Sequence, residues 1–396
     1  MKTILATHIV GCLDPRFGGP AYSVKTLAEH LSARGVQADV LTFNYPFRDR
    51  RCNLKNGSRH LIAPDFFLSR YLAGWNPLTI KPLKKAAGVA SIVHVHGLWT
   101  WFGKYARIAA VQQKRPLIIS PRGMLEGWAL RNSTFKKKVA LFLYEKSNLQ
   151  SATLFHATSA QELESMRQFG LTQPVALIPN GIDLPDLHRR NSIDVFQKFK
   201  LPAGKRLFLF LSRIHPKKGI EMLLREWGAL SKQHQEWHLI IAGDGERAYL
   251  AKLQKMARGY ELQDRVSWTG LVSGADKEAF FRKAEFFVLP SYSENFGISI
   301  AEALAHGVPV IATRETPWKE IEDFKCGWWI KAENEGLNQS LRHIFKLSAN
   351  ELQAMGQMGI NLVSERFSWG NISQKMADTY RWILNKNNKP DYVIID

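Results

Sequence analysis

The sequence predicts an α/β protein built from two consecutive parallel-sheet domains. Three observations predict it. At 396 residues the chain is too long for one comfortable hydrophobic core, so two domains of roughly 150–200 residues are expected. Apolar runs of four to seven residues alternate with helical patterns throughout, which is the mark of parallel βα units. The alternation breaks at the polar stretch DLPDLHRRNSID over 183–194, which reads as the linker.

The elements follow in order. In the first half the strand candidates are KTILATHIV (2–10), ADVLTF (38–43), SIVHVH (91–96), PLIIS (116–120), TLFHAT (153–158) and VALIPN (175–180). Between the last two a helix is expected to start at Ser159, with Glu162 three residues on as a capping box. A second series follows LPAGK: LFLFLS (207–212), HLIIAG (238–243), RVSWTG (265–270), EFFVLP (285–290) and PVIAT (309–313). Two Rossmann-like domains result, over 1–185 and 200–367. After Arg366 the chain reads as an amphipathic helix, 369–385, with Ile372, Met376, Tyr380 and Ile383 near one face. The tail NKPDYVIID is expected to be loosely held.

With 45% hydrophobic and 22% charged residues the composition is that of an ordinary soluble globular protein. Cys12, Cys52 and Cys326 are scattered, odd in number and without metal-ligand spacing, which argues for a reducing compartment and against a disulfide framework. The first residues read as a strand rather than a signal peptide, and no apolar run approaches the ~20 residues of a membrane-spanning helix. A cytoplasmic protein is expected. Its charge is unusual: of the formal +19, residues 1–185 carry 24 Lys and Arg against 10 Asp and Glu, and the remainder 30 against 25. A basic first half favours an anionic partner, whether nucleic acid, an anionic membrane surface or a phosphorylated substrate.

In an open α/β sheet, ligands bind beyond the carboxyl ends of the strands, where helix N-termini offer unpaired N–H groups. Four strand ends are chemically distinctive. After the first strand, Gly18 and Gly19 precede Pro20 and a helix, so backbone can approach a phosphate; a tight turn explains them equally well, and the G-x-G-x-x-G fingerprint is absent. In LSRIHPKKGIEMLL, Arg213 ends a strand and Lys218 stands at the opening of a helix. Two cations there oppose the helix dipole unless an anion lies between them, so a diphosphate is expected. In SYSENFGISIAEALA, the loop with Asn295, Phe296 and Gly297 leads into a helix whose first amides face a diphosphate from another side. Glu294 precedes this helix and Glu302 lies within it. An uncompensated carboxylate is costly to bury among Ile298, Ile300, Ala301, Ala303 and Leu304, so Glu302 is expected to face a cleft and accept from vicinal hydroxyls; dipole pairing for Glu294 and a surface ion pair for Glu302 are the plain alternatives. In VHVHGLWTWF, His94 and His96 face the same side of a strand. His96 is placed to meet a substrate and His94 reads as a core residue. No third ligand shows at metal spacing, so zinc is not expected. Arg122, in SPRGM, shares that rim as a phosphate or acceptor contact or as a surface arginine.

Together, the Arg213-x4-Lys218 spacing and the E-x7-E segment from Glu294 to Glu302 resemble the donor site of retaining glycosyltransferases of family 4. The likeness extends to GGP, HGLW, SPRGM, IPNGID, IAGDGE and FSW, and so covers most of the chain. It implies the GT-B architecture, in which two Rossmann-like domains face a central cleft and the last helix crosses back to the first domain. It also implies that Arg213 and Lys218 hold the donor diphosphate, Glu294 the sugar hydroxyls and Glu302 the ribose, with His96 near the sugar. The expected reaction moves a hexose or N-acetylhexosamine from a UDP- or GDP-sugar to a glycan or lipid-linked acceptor, as in bacterial surface-polysaccharide or lipopolysaccharide synthesis. Arg213, Lys218 and the helix amides would stabilise the departing diphosphate, so no metal or other cofactor is expected. The acceptor attacks from the face the leaving group departs, and closure of the domains excludes water.

The basic first domain is expected to hold the acceptor. RNSTFKKKVALFLYEK (131–146) mixes Arg131, Lys136, Lys137 and Lys138 with Phe135, Leu141, Phe142 and Leu143, and DFFLSRYLAGW (65–75) adds aromatics. Peripheral attachment to the anionic inner face of the plasma membrane would explain both, at ~1 kcal/mol per basic residue near the surface; a solvated helix over an ordinary core is the alternative. A nucleotide-sugar epimerase of the same architecture would need no acceptor. A nicotinamide-dependent oxidoreductase would want the missing fingerprint. A non-enzymatic polyanion-binding protein fits the charge but leaves the two glutamates unexplained, and nucleic acid is not an expected partner.

Overall fold

A computed structural model describes residues 3–14, 18–47, 54–187, 193–385 and 388–395; Cys52 and residues 188–192 of the expected linker lie outside them. The chain divides into two units, Met1–Gly181 with Trp369–Asp396, and Ile182–Ser368.

In the first unit, β1 (Ile4–Val10), β2 (Val36–Thr42), β3 (His60–Ile62), β4 (Ile92–His96), β5 (Leu117–Ser120), β6 (Leu154–Ala157) and β7 (Val175–Leu177) form a parallel sheet in the order β7-β6-β5-β4-β1-β2-β3. Most of the strands bury apolar side chains on both sides because helices cover both faces. Ala6, Ile92, Ile118 and Leu154 pack with Val24 and Leu27 of helix Gly19–Leu31 and with Ile372, Met376, Tyr380 and Ile383 of the C-terminal helix Trp369–Asn385. On the opposite face Ile9, Val93, Val95 and Phe155 pack with Leu83, Phe102 and Ala106 from helices Ile80–Val89 and Trp101–Gln112. The strand order reverses between β1 and β4, and a reversal leaves a crevice at the carboxyl ends of the two strands.

The second unit repeats the plan. Strands β8 (Arg206–Leu211), β9 (Trp237–Ala242), β10 (Val266–Gly270), β11 (Ala284–Leu289), β12 (Val310–Thr313) and β13 (Gly327–Ile330) pair in parallel in the order β10-β9-β8-β11-β12-β13. Here the reversal falls between β8 and β11. Leu223, Leu224 and Trp227 of helix Ile220–Leu230, with Ile300, Ala301 and Leu304 of helix Ile298–Ala305, are buried in a core that spans this unit.

Three local expectations are corrected. The tail is not loose: β14 (Val393–Ile394) pairs antiparallel with β7, the Leu177 amide donates to the Tyr392 carbonyl at 2.9 Å, and Val393 is fully buried. Its few apolar residues close the open edge of the sheet. Helix Ala160–Gln168 is capped by Ser159, whose hydroxyl accepts from the Glu162 amide at 3.1 Å, but the capping box is only half formed. The Glu162 carboxylate turns instead to the amides of Thr158 at 2.7 Å and Gly123 at 2.6 Å. The short strands β3 and β13 were not expected.

The chain leaves the first unit at Gly181 and returns at Trp369, and the two passages run side by side. The Ile182 amide donates to the Phe367 carbonyl at 2.7 Å, and Ile182 bridges Ser368 in parallel. A Cβ on Gly181 would fall 2.3 Å from the Trp369 indole, so only glycine lets the indole lie against this backbone.

Candidate functional site

The crevice of the second unit is assembled from three strand ends. After β8 a single 3-10 turn, Pro216–Lys218, is capped by His215, whose Nδ1 accepts from the Lys217 amide at 3.2 Å. Gly219 follows at φ 69°, and a Cβ there would lie 2.0 Å from the Pro290 carbonyl oxygen. The turn is therefore pressed onto the end of β11, where the Tyr292 amide donates to the Lys217 carbonyl at 2.7 Å. The loop after β9 joins them through the Ile214 amide and the Asp244 carbonyl, 2.8 Å apart.

This packing brings Lys218 and Glu294 into a direct ion pair, with side chains only 6% and 14% exposed. Burial pushes the Glu294 carboxyl up, but Lys218, Lys217 and Arg213 outweigh it and hold its pKa below the ordinary value. Burial also lowers the pKa of the Lys218 ammonium, with Glu294 opposing. The anion beside Lys218 in this structure is thus Glu294. Arg213 is exposed. Gly297 caps helix Ile298–Ala305, whose first amides no intrahelical carbonyl can reach. Asn295 is half-buried, while the Phe296 ring is in the core and its carbonyl accepts from Trp318 Nε1. Glu302, expected to face a cleft, pairs with Lys277 of helix Gly274–Lys283, so the plain ion pair is what the structure contains. Lys277 was not singled out in the sequence.

In the first unit, Gly18 caps helix Gly19–Leu31 at the end of β1. At the β1/β4 reversal His96 and Arg122 come together: Arg122 Nη2 donates to His96 Nδ1 at 3.0 Å and Nη1 to Asn180 Oδ1 at 2.8 Å. Arg122 stands at φ 57°, a sparsely populated conformation for a residue with a side chain. Burial lowers its pKa to about 10, against the opposing charge of Glu162. Its Nε–H has no partner among the described residues. His96 is 1% exposed, and its Nε2 bonds His8 Nδ1 at 3.0 Å. His94 is a core residue, as expected, bonding Tyr380 Oη and Ser120 Oγ at 2.8 Å each. The sequence showed no third ligand at metal spacing, yet the fold supplies one: ring nitrogens of His8, His94 and His96 lie within 4.8 Å of one another. All six are already hydrogen-bonded, to one another, Tyr380, Ser120 and Arg122. A divalent cation would have to break these bonds beside a guanidinium, so the cluster fits a polar network better than a metal centre. Sequence reasoning gave His8 and Asn180 no role of their own, and read Glu162 only as a helix cap and Tyr380 only as part of an apolar helix face. Only the alternation of His8 along β1 was available as a signal.

Exposed apolar and basic side chains gather on the helical segment from Thr134 to Gln150. Phe135, Val139, Phe142 and Leu143 are exposed among Arg131, Lys136, Lys138 and Lys146. Phe67, Tyr71 and Leu72 are exposed as well. Among the described residues, no helix is long and apolar enough to cross a membrane.

Comparison with known proteins follows the two units. Residues 17–185 match the family described as glycosyltransferase family 4, and residues 191–361 match the family described as glycosyl transferases group 1. The chain is similar to an alpha-monoglucosyldiacylglycerol synthase of Streptococcus pneumoniae, at 34% identity over 141 residues, a stretch that spans only 34% of this chain and 32% of that protein. It is similar over almost its whole length to a GDP-mannose:cellobiosyl-diphosphopolyprenol alpha-mannosyltransferase of Xanthomonas oryzae, at 24% identity over 94% of this chain and 95% of the other. Among solved structures, a sucrose-phosphate synthase of Thermosynechococcus elongatus superposes with a TM-score of 0.78 at 21% identity, covering 97% of this chain and all of the other. That last likeness speaks for the fold.

Proposed function

The chain belongs to the glycosyltransferases of family 4, with the GT-B fold, and from that premise we propose that it moves a hexose or N-acetylhexosamine, with retention of configuration, from a UDP- or GDP-sugar to a glycan or lipid-linked acceptor in bacterial surface-polysaccharide or lipopolysaccharide synthesis. The observation that carries the reading is the Lys218–Glu294 pair at the β8/β11 reversal. A diphosphate beside Arg213 and Lys218 would compete with Glu294 for the ammonium and so release the carboxylate to accept from sugar hydroxyls. The two cations, with the first amides of helix Ile298–Ala305, stabilise charge on the departing nucleoside diphosphate. In this reading Glu302 exchanges Lys277 for ribose hydroxyls, and no metal ion is needed because side chains and amides supply the positive charge.

Thermal stabilisation by UDP, GDP and ADP and their sugar conjugates tests the donor site. One nucleotide is expected to raise the melting temperature of the wild type but not of Lys218→Ala or Glu302→Gln, and EDTA is expected to leave the shift unchanged. A nucleotide shift retained in both variants would overturn the assignment. The apolar and basic segment around Phe135 and Phe142 suits an acceptor presented at an anionic leaflet. Sedimentation with phosphatidylglycerol vesicles is expected at low salt and to fade as salt rises; no sedimentation at low salt would remove the membrane from the reading.

A further inference from the structure

His8, His94, Ser120 and His156 occupy one position on each of four neighbouring strands, two residues after Ala6, Ile92, Ile118 and Leu154 on the face that the C-terminal helix covers. With His96, Arg122 and Tyr380 they form one unbranched series of hydrogen bonds. Arg122 Nη2 meets His96 Nδ1 at 3.0 Å, His96 Nε2 meets His8 Nδ1 at 3.0 Å, and His8 Nε2 meets Tyr380 Oη at 3.2 Å. Tyr380 Oη then meets His94 Nδ1, His94 Nε2 meets Ser120 Oγ, Ser120 Oγ meets His156 Nδ1, and His156 Nε2 meets the Ile178 carbonyl, all at 2.8 Å.

The two ends fix every direction between them. A guanidinium can only donate and a carbonyl can only accept. His96 therefore accepts at Nδ1 and, as a neutral ring, donates from Nε2. The same step repeats through His8, the Tyr380 hydroxyl, His94, the Ser120 hydroxyl and His156, and arrives at Ile178 with an N–H where an N–H is required. Counting back from Ile178 gives the same assignment. All four imidazoles carry their proton on Nε2. An added proton on any of them would set two donors against each other, and burial independently lowers the pKa of each ring, to about 3 for His8 and His156.

We infer that Tyr380, His8, His94, Ser120 and His156 are positioning residues: they form a one-way hydrogen-bond wire that holds His96 with its Nδ1 lone pair toward Arg122, and so fixes the guanidinium at the crevice of the first unit. The inference rests on the reading above only in giving Arg122 and His96 a part in transfer. Among the described residues, the titratable and charged groups facing the wire are its own members and Glu162, whose carboxylate opposes the charge of Arg122.

The test is long-range nitrogen–proton NMR of the 15N-labelled full chain from pH 5.5 to 8. The four imidazoles are expected as non-titrating Nε2–H tautomers. Tyr380→Phe removes both the acceptor of His8 and the donor to His94, and is expected to change the signals of His8 and of His96, one link further on, and to let at least one ring titrate within that range. Ser120→Ala is expected to disturb His94 and His156, and Ser120→Thr, which keeps the hydroxyl, to restore them. An Nδ1–H tautomer at any of the four in the wild type, or an unchanged His96 in a folded Tyr380→Phe, would overturn the wire. With UDP- and GDP-sugars as probes, Tyr380→Phe is expected to lower kcat for nucleotide release by about 10- to 100-fold, with little change in KM and a new acidic limb in its pH profile. If the wild type turns over none of them, the donor reading fails while the tautomers still decide the wire.

Discussion

At the scale of single residues, Lys218 and Glu294 show how a charge is kept in a nearly dry place. Neither is fully exposed to water, and each is the other's compensation. Removing one partner of a buried pair leaves an unpaired charge and costs about 3–5 kcal/mol. Glu294→Gln is expected to lower the unfolding free energy by an amount near the bottom of that range, because some water reaches the pair, and a further Lys218→Met substitution to recover part of it. Urea denaturation of the four species decides this; additive losses would sink the coupling. The sign with pH follows from the depressed carboxyl: its contribution is full above the unfolded value of about 4.3 and is lost as pH falls through the lower folded value. The sequence announced both residues but not their meeting, since 76 positions separate them and the approach of Gly219 to Pro290, with the Tyr292–Lys217 backbone bond, brings their loops together.

At the scale of elements, the long parallel strands were legible because each is a continuous apolar run. The short edge strands were not. β3 and β14, of three and two residues, are set by partners already in the sheet rather than by their own patterns. The segment Thr134–Gln150 was legible as an apolar and basic stretch, yet nothing in its sequence indicated the π-helical turn Leu141–Glu145. That turn leaves Phe142 and Leu143 outside while Tyr144 and Glu145 are buried. The Glu145 carboxylate accepts from the Trp99 amide at 2.9 Å, and burial raises its pKa to about 7. A raised carboxyl favours folding at low pH, and the benefit disappears as pH rises through the folded value. Glu145→Gln, which keeps an acceptor for Trp99, is therefore expected to stabilise the protein by up to about 3 kcal/mol at pH 8 and by almost nothing below pH of about 4. Equal effects at both pH values, measured by thermal melts, would refute the assignment.

At the scale of the whole molecule, two α/β domains were legible because βα periodicity and one polar interruption suffice for that, whereas the return of the last helix followed only from the likeness to family 4 glycosyltransferases. The sequence was silent on the hydrogen-bonded histidines, whose seven links depend on the registers of four strands and the placement of a helix distant in sequence. The passages at Ile182 and Ser368 bear on independence. Residues 182–368 enclose their own apolar core, and expressed alone they are expected to unfold cooperatively and to keep the nucleotide response of the full chain; a fragment without a cooperative melt would show that it depends on the rest. Because this unit begins and ends at paired residues, it is in effect a cassette spliced into its host at one spot. Exchange of such a cassette between related genes would need only two nearby joints to match, and under the proposed function it would give a lineage a new donor while keeping its old acceptor.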